Sequence, residues 1–454
     1  MIKTYIPDKK IIKSYNKTRG KIKKNRICYA PFSSMLFIQS GQVMPCHYNR
    51  GTVLGKISEN TIHEIWFGNK LKNLQEHIAK NDFSSGCESC YYNIINQQFY
   101  NAGCKKYDNL FSFGKYPIMM DFQISNTCNL ECIMCSGEYS STIRKNREKQ
   151  DNYPDYYKND FVNQLDEFIP YLQYAKFTGG EPFLINNYYK IWDKIATQKP
   201  DINISVSTNG SILNDKIKYL LEKLKFQFTV SIDSINENTY PQIRKNSDLQ
   251  NVLNNIKYFH DYSIKKHTSL IIKFVVIQQN MYEIPEFVEY WNNKNIRILP
   301  KMVWFPPYAS LRNIDSEKLK ELIVLYKNKK LSASTRIQKQ NNQYYKGIIS
   351  QLEKWVIEKQ SIIDNNKSTE EIKKELIKNI QDFLLTKTDN SEVQSLMEKY
   401  SKTIDFLCNS IADEKEMRKS LIIFSELPVH LVVAEINREN PQKLLSKFVQ
   451  ASYF

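Results

Sequence analysis

Cys128-Asn-Leu-Glu-Cys132-Ile-Met-Cys135 is separated by four residues from the preceding Pro117-Ile-Met-Met-Asp-Phe-Gln123, an apolar run that reads as a short buried strand. A turn of that length aims three thiolates at one region. A closed structural zinc site takes four protein ligands, and most iron–sulfur clusters are also held by four thiolates. Three thiolates on a [4Fe–4S] cluster leave one iron open to a further ligand. The competing readings are a zinc knuckle or a set of buried structural thiols. A second motif lies about forty residues on. Lys176-Phe-Thr-Gly179-Gly180-Glu181-Pro182 ends another apolar run, Tyr174 to Thr178. Paired glycines at a strand end let backbone approach a ligand closely, and Pro182 stiffens the exit.

Together the two motifs resemble those of the radical S-adenosylmethionine (SAM) enzymes. The resemblance implies that Cys128, Cys132 and Cys135 hold a [4Fe–4S] cluster whose open iron chelates SAM. It further implies that Gly179, Gly180 and Glu181 receive the SAM ammonium. Reductive cleavage of SAM would then give a 5′-deoxyadenosyl radical that abstracts a substrate hydrogen. Ser205-Val-Ser207-Thr-Asn209-Gly210 closes the third barrel strand, where the family binds the SAM ribose or carboxylate, so Ser207 and Asn209 carry over. Ordinary turn chemistry is the other reading of that stretch. Arg244 resembles a family arginine that meets the SAM carboxylate, with a solvated helix arginine as its alternative. Asp233 either faces the substrate or caps the next helix. Gln278 and Asn280 follow the fifth strand as weaker candidates, and Met134 stands where the family often has an aromatic.

Residues 27–110 form a cysteine-bearing segment. Cys28 and Cys46 flank an apparent hairpin turning at Gly41, a helical stretch runs from Thr61 to Ala79, and Cys87-Glu-Ser-Cys90 follows. Four such cysteines suit zinc or a fully ligated iron–sulfur cluster. Gly41-x4-Cys46, Gly55-Lys-Ile57, Glu64-Ile-Trp66 and Cys87-x2-Cys90 are similar to the twitch or SPASM-type auxiliary-cluster module of radical SAM enzymes. That likeness implies a second [4Fe–4S] cluster on Cys28, Cys46, Cys87 and Cys90. The module usually follows the barrel, and here it precedes it. Cys104 is a spare thiol or a replacement ligand, and His47 a hydrogen-bonding neighbour.

From 111 to 308, apolar runs at 117–123, 174–179, 202–208, 227–233, 269–277 and 296–304 alternate with helical stretches near 159–172, 186–197, 213–223, 248–262 and 284–293. This alternation predicts parallel βαβ units in a partial (β/α)6 barrel, with ligands gathered at the strand ends. Residues 309–454 carry helical spacing throughout, and Gly347 is their one glycine. An all-helical C-terminal region is expected there, with Cys408 as a core thiol and His430-Leu-Val-Val-Ala434 as a possible short strand. The fold class is therefore α/β: a cysteine-rich module, a partial barrel and a helical appendage.

The 454 residues carry a formal net charge of +16, and residues 1–26 hold ten Lys or Arg against Asp8 alone. No nucleic-acid motif accompanies this basic arm, so solvated lysines are expected rather than a nucleic-acid partner. No apolar run reaches the roughly 18 residues of a membrane span. The first residues lack a signal-peptide core, and the nine cysteines then point to reduced thiols in a cytoplasmic protein. The expected activity is radical SAM modification of a ribosomally made peptide, such as cross-linking or epimerisation. A sugar or other small metabolite is the alternative substrate, and flavodoxin or ferredoxin the expected class of electron donor. The competing function is a non-catalytic, zinc-dependent binding protein.

Overall fold

A computed structural model describes residues 5–19, 26–49, 51–110, 114–304, 306–363, 367–385, 390–427, 429–438, 441, 442, 444, 445 and 448. The chain divides into two compact units, residues 4–273 and residues 274–454 with 1–3.

The first unit is built on one sheet. Its strands are β1 (Ser34–Ile38), β2 (Gln42–Met44), β3 (Gly55–Lys56), β4 (Met119–Gln123), β5 (Tyr174–Phe177), β6 (Asn203–Thr208), β7 (Phe226–Ser231) and β8 (Leu270–Val276). Their order across the sheet is β3-β2-β1-β4-β5-β6-β7-β8. From β4 onward every pairing is parallel, as the strand–helix alternation predicts. The N-terminal hairpin is not a separate sheet. β1 pairs in parallel with β4, Leu36 opposite Asp121, so the cysteine module extends the barrel sheet at its first edge.

Burial alternates along β5 to β8, as period-two side chains require. Ile204, Val206 and Thr208 of β6 are buried while Asn203, Ser205 and Ser207 are less so; β7 repeats the pattern. The buried face meets the helices. Trp192, on the helix Asn186–Gln198, packs against Phe177 and Phe226 at 5.2 and 5.5 Å between ring centroids. Phe259, on the helix Leu249–Lys265, stacks on Phe228 at 4.3 Å. Phe37, Phe122 and Phe177 stack across β1, β4 and β5. Asn214 and Asp248 cap their helices by accepting from Ile217 N–H and Asn251 N–H. On the opposite face, β5, β6 and β7 present Lys176, Ser205, Ser207, Gln227 and Thr229.

Two helical expectations are subdivided. The stretch 159–172 is helical only over Asn159–Gln164 and continues as short 3₁₀ turns, because Pro170 lacks the N–H a helix interior needs. The stretch 61–79 breaks at Gly68 into Ile62–Trp66, which a Thr61/Glu64 capping box starts, and Asn69–Ala79.

The second unit holds the end of β8, the helix Ile284–Asn293 and β9 (Arg297–Met302), followed by helices. Asn341, on the long helix Arg336–Ile363, accepts from Ile298 N–H at 3.0 Å and donates to Ile296 O at 2.9 Å, which fixes that helix to β9. The helices Thr369–Leu384, Asn390–Asn409, Glu414–Glu426 and Val429–Arg438 share one apolar cluster, with Cys408 packed against it. The run 430–434 is thus helical and not a strand. Val432, Val433 and Ile436 are buried at helical spacing. No described helix is long and apolar enough to cross a membrane.

Candidate functional site

The Cys128–Cys135 loop leaves the end of β4 and is fixed by donors and acceptors from three other segments. Cys128 N–H donates to Ser141 Oγ at 3.2 Å, and Ser140 Oγ donates to Leu130 O at 2.7 Å. Glu131 N–H and Ile133 N–H donate to Lys245 O and Ile243 O at 3.1 and 3.0 Å. All three thiols are partly exposed. Burial is the main influence on each. It pushes Cys128 up to about 11 and Cys135 up to about 12, with the neighbouring thiols adding to the shift in both. Cys132 is raised for the same first reason, although the Arg244 guanidinium draws it back. Thiols so placed keep their protons until a metal displaces them. A donor set of three thiols and no carboxylate fits a soft iron–sulfur group and not a hard cation.

The Gly179–Gly180 turn comes against this loop's approach from β4. Gly180 N–H donates to Ser125 O at 3.0 Å and Glu181 N–H to Thr127 O at 2.7 Å. A Cβ on Gly180 would fall 2.1 Å from Thr127 O, and one on Gly179, whose φ is +122°, 2.4 Å from Ser125 O. Only glycine fits. Glu181 is fully buried and turned inward. Its carboxylate accepts from Thr208 Oγ1 at 2.8 Å, Asn209 N–H at 2.7 Å and Phe183 N–H at 3.2 Å. Burial outweighs these donors and pushes Glu181 up to about 7.

Asn209 extends the same network to the cysteines. Its Nδ2 donates to Asn129 Oδ1 at 3.0 Å and lies 4.0 Å from Cys128 Sγ. Arg244 is buried, its Nε 2.7 Å from Asp233 Oδ2 and its Nη1 3.9 Å from Cys132 Sγ. Burial alone would weaken its proton affinity; Asp233 and Cys132 more than offset that and raise it. Ser207 lies on the half-buried face of β6, opposite Thr229. The structure therefore gathers Cys128, Cys132, Gly179, Gly180, Glu181, Asn209 and Arg244 around one loop, while Ser207 stands further down its strand. A cavity of about 700 Å³ opens beside the same approach, lined by Gln39, Ser125, Asn126, Thr127, Tyr153 and Asn187 among others, and none of the predicted site residues lines it.

In the N-terminal module Cys28, Cys46 and Cys90 are buried in one apolar cluster and Cys87 packs against it from a less covered position. Cys104, a spare thiol by spacing, belongs to the same group. It is hydrogen-bonded to Cys90, which lowers it, and lies 3.3 Å from Tyr15 Oη. Burial raises Cys28 first, and the Cys104 thiol second. Arg19, paired with Asp108 at 2.6 Å, holds this end of the module closed. The described part of the basic N-terminal stretch thus packs into the module through Tyr15 and Arg19. Among the described residues, no group of three or more His, Cys, Asp or Glu side chains is set to hold a single metal ion.

Sequence reasoning passed over three contributors. Thr208 and Asn129 belong to ordinary turn sequences and show their part only once the strands are adjacent. Asp121, a charge inside the apolar run Met119–Gln123, was the legible signal, since a carboxylate is not buried without partners.

This fold and these motifs define a class. Residues 122–290 match the radical SAM superfamily and residues 28–91 match an iron–sulfur cluster-binding domain, SPASM. The chain thus carries a radical SAM domain, and more narrowly one preceded by a SPASM-type iron–sulfur domain. These two domains bring with them a SAM-binding [4Fe–4S] cluster and an auxiliary iron–sulfur cluster. Among curated relatives, a probable GTP 3′,8-cyclase of Methanocaldococcus jannaschii is 27% identical over 183 residues, 39% of this chain and 56% of the relative. The GTP 3′,8-cyclase of Aliarcobacter butzleri is 24% identical over 214 residues, 46% of this chain and 64% of the relative. The chain thus spans little more than half the length of these relatives. Among solved structures, Streptococcus suis SuiB bound to S-adenosylmethionine is 17% identical, with 63% of this chain and 60% of that chain covered and a TM-score of 0.35. Native anSMEcpe with bound AdoMet is 16% identical, with 46% and 60% covered and a TM-score of 0.35.

Proposed function

We propose that the chain reductively cleaves SAM and uses the resulting radical to abstract a hydrogen from its substrate. In this reading Cys128, Cys132 and Cys135 hold the SAM-binding cluster, and Cys28, Cys46, Cys87 and Cys90 hold the auxiliary one. When bound, the cluster and SAM supply the 5′-deoxyadenosyl radical. The chain's own residues bind and orient. The Gly179–Gly180 backbone faces the methionine end of SAM, and Glu181 keeps that turn fixed to the end of β6. Asn209 and Ser207 serve the ribose, and Arg244, held by Asp233, serves the carboxylate.

The observation that carries the reading is the interlock of the two motifs. The glycine turn and the cysteine loop share the backbone of Ser125–Thr127 at distances that admit no side chain on Gly180. A structural zinc knuckle needs no such partner.

For the substrate we favour a ribosomally made peptide, in keeping with the SPASM-type module beside the barrel. The auxiliary site would take up or relay the electron left after hydrogen abstraction, which suits net oxidations such as cross-linking. A purine nucleotide is the second reading, favoured by the names of the curated relatives over the barrel core. A flavodoxin- or ferredoxin-like donor in the cytoplasm completes the proposal.

Iron and sulfide per chain after anaerobic purification test it. Two [4Fe–4S] clusters give about eight irons, falling to about four in Cys128/Cys132/Cys135→Ala. A colourless protein without iron overturns the reading. The substrate is tested with holoenzyme, SAM and dithionite. GTP that raises 5′-deoxyadenosine above the substrate-free level favours the nucleotide; a candidate precursor peptide that does so favours the peptide.

A further inference from the structure

Three ionisable side chains meet outside both cysteine sites. Asp121 of β4 and Lys176 of β5 are direct register partners, and His47 follows Cys46 in the module. His47 Nε2 lies 2.6 Å from Asp121 Oδ2, and Lys176 Nζ lies 2.9 Å from that same oxygen and 3.1 Å from His47 Nε2. Both donors are thus spent on one carboxylate oxygen. The other, Asp121 Oδ1, is buried with no hydrogen-bond partner among the described residues, on a residue 3% exposed.

A purely structural ion pair does not explain this arrangement. Burying a carboxylate is unfavourable unless its oxygens are satisfied, and an apolar residue would fill an apolar strand at less cost. The side chains of Lys176 and His47 are 31% and 27% exposed, while that of Asp121 is 4% exposed. They lie on the face of the sheet away from the helices. On that face the register continues from Lys176 to Ser205 and Gln227, and Ser207 and Thr229 follow one step further along β6 and β7. His47 is one residue from Cys46, and Lys176 stands three residues before Gly179.

We propose that His47, Asp121 and Lys176 form a substrate subsite that takes an anionic oxygen group, a carboxylate or a phosphate. Lys176 makes the direct contact: one proton of its ammonium goes to Asp121, which leaves protons for a ligand oxygen. Asp121 is a positioning residue, holding the ammonium and the imidazole side by side, and Ser205 and Gln227 extend the row along which the ligand lies. The proposal rests on the radical SAM reading for the subsite's purpose and not for its existence.

The test is calorimetric titration of anaerobic holoenzyme, in the presence of SAM, with inorganic phosphate and separately with glutarate. Iron is assayed on the same sample, so loss of the radical reading shows as missing iron and not as missing anion binding. At least one anion should bind, and Lys176→Met should weaken it tenfold or more, with Lys176→Arg restoring it to within about threefold. Lys190→Met, on the helix Asn186–Gln198, controls for general attraction to a basic protein and should leave the titration unchanged. Phosphate alone binding marks a phosphorylated substrate, and glutarate alone a carboxylate-bearing one such as an acidic peptide side chain. Binding of neither anion, equal binding in Lys176→Met, or equal loss in Lys190→Met overturns the subsite. Should Lys176→Met fail to fold, a rise in the wild-type melting temperature with phosphate or glutarate that Asp121→Asn abolishes serves in its place, and no rise overturns the proposal.

Discussion

In the barrel, Cys128, Cys132 and Cys135 stand partly exposed on a loop fixed mainly through its backbone, by hydrogen bonds to Ser140, Ser141, Ile243 O and Lys245 O, while Arg244 and Asn209 reach Cys132 and Cys128 Sγ only at 3.9 and 4.0 Å. In the N-terminal module, Cys28, Cys46, Cys90 and Cys104 are buried in the module's own core among Tyr15, Tyr29, Phe83 and Tyr107. One site is carried by a fold that stands without it. The other is the centre around which its fold is packed. On the proposed roles, an exchangeable cosubstrate would need the open edge of the first site, and an electron relay would be served by the exclusion of water at the second.

The contrast is broken most directly by removing thiols from each site. Cys128/Cys132/Cys135→Ala should abolish SAM cleavage, leaving no 5′-deoxyadenosine above background, while the melting temperature stays within about 2 °C of wild type, since the hydrogen bonds that fix the loop remain. In the module, Cys28→Ala or Cys90→Ala should cost on the order of 4 kcal/mol or more, because under the proposed cluster assignment metal binding and folding are one equilibrium there. Urea midpoints and limited proteolysis within residues 26–110 check it. Equal stability losses at the two sites would erase the distinction.

The sequence carried the barrel well because its signals are local. Apolar runs and helical spacing predict strands and helices to within a few residues, and the helices near 213–223 and 248–262 start at the caps Asn214 and Asp248 that the structure shows. The cysteine spacings and the paired glycines are likewise read without knowing what lies opposite. What could not be read is whatever depends on pairing across the sheet. That β1 would lie beside β4, and so bring His47 to Asp121 and Lys176, is a register fact with no local signature. Cys104 joins the other thiols through the 3₁₀ turn Gly103–Tyr107 and the packing of Tyr15, a long-range contact its spacing does not announce. Pro170 and Gly68, by contrast, were legible breakers inside stretches whose periodicity outvoted them.

Glu181 offers a smaller test on the barrel side. Its folded pKa lies near 7 against an ordinary 4.5, raised first by burial. The folded state therefore binds this proton more tightly than the unfolded chain does. The stabilisation from that proton is fully present below about 4.5 and is lost as pH rises through about 7. It amounts to about 3 kcal/mol across the window. Glu181→Gln removes the titration, so the fall in urea midpoint of the apoprotein between these pH values should be shallower in the variant. A variant with the wild-type slope would mean that the Asn209 and Thr208 hydrogen bonds hold the carboxylate ionised, and that the turn is tied by a charge.

The smallest effect is expected in the helical unit, where glycine has the opposite meaning from the one it has at the site. A Cβ on Gly180 would strike Thr127 O at 2.1 Å, whereas a Cβ on Gly347 would meet nothing within 4 Å. Gly347 lies inside the helix Arg336–Ile363, on an exposed position, and there glycine only adds backbone entropy to the unfolded chain. Gly347→Ala should therefore stabilise the protein by about 1 kcal/mol, read as a higher urea midpoint. Gly180→Ala measured in parallel should move the midpoint down. A destabilising Gly347→Ala would mean that another surface approaches this helix as closely as the cysteine loop approaches Gly180, and the helical unit would then have to be treated as a docking element and not as a scaffold.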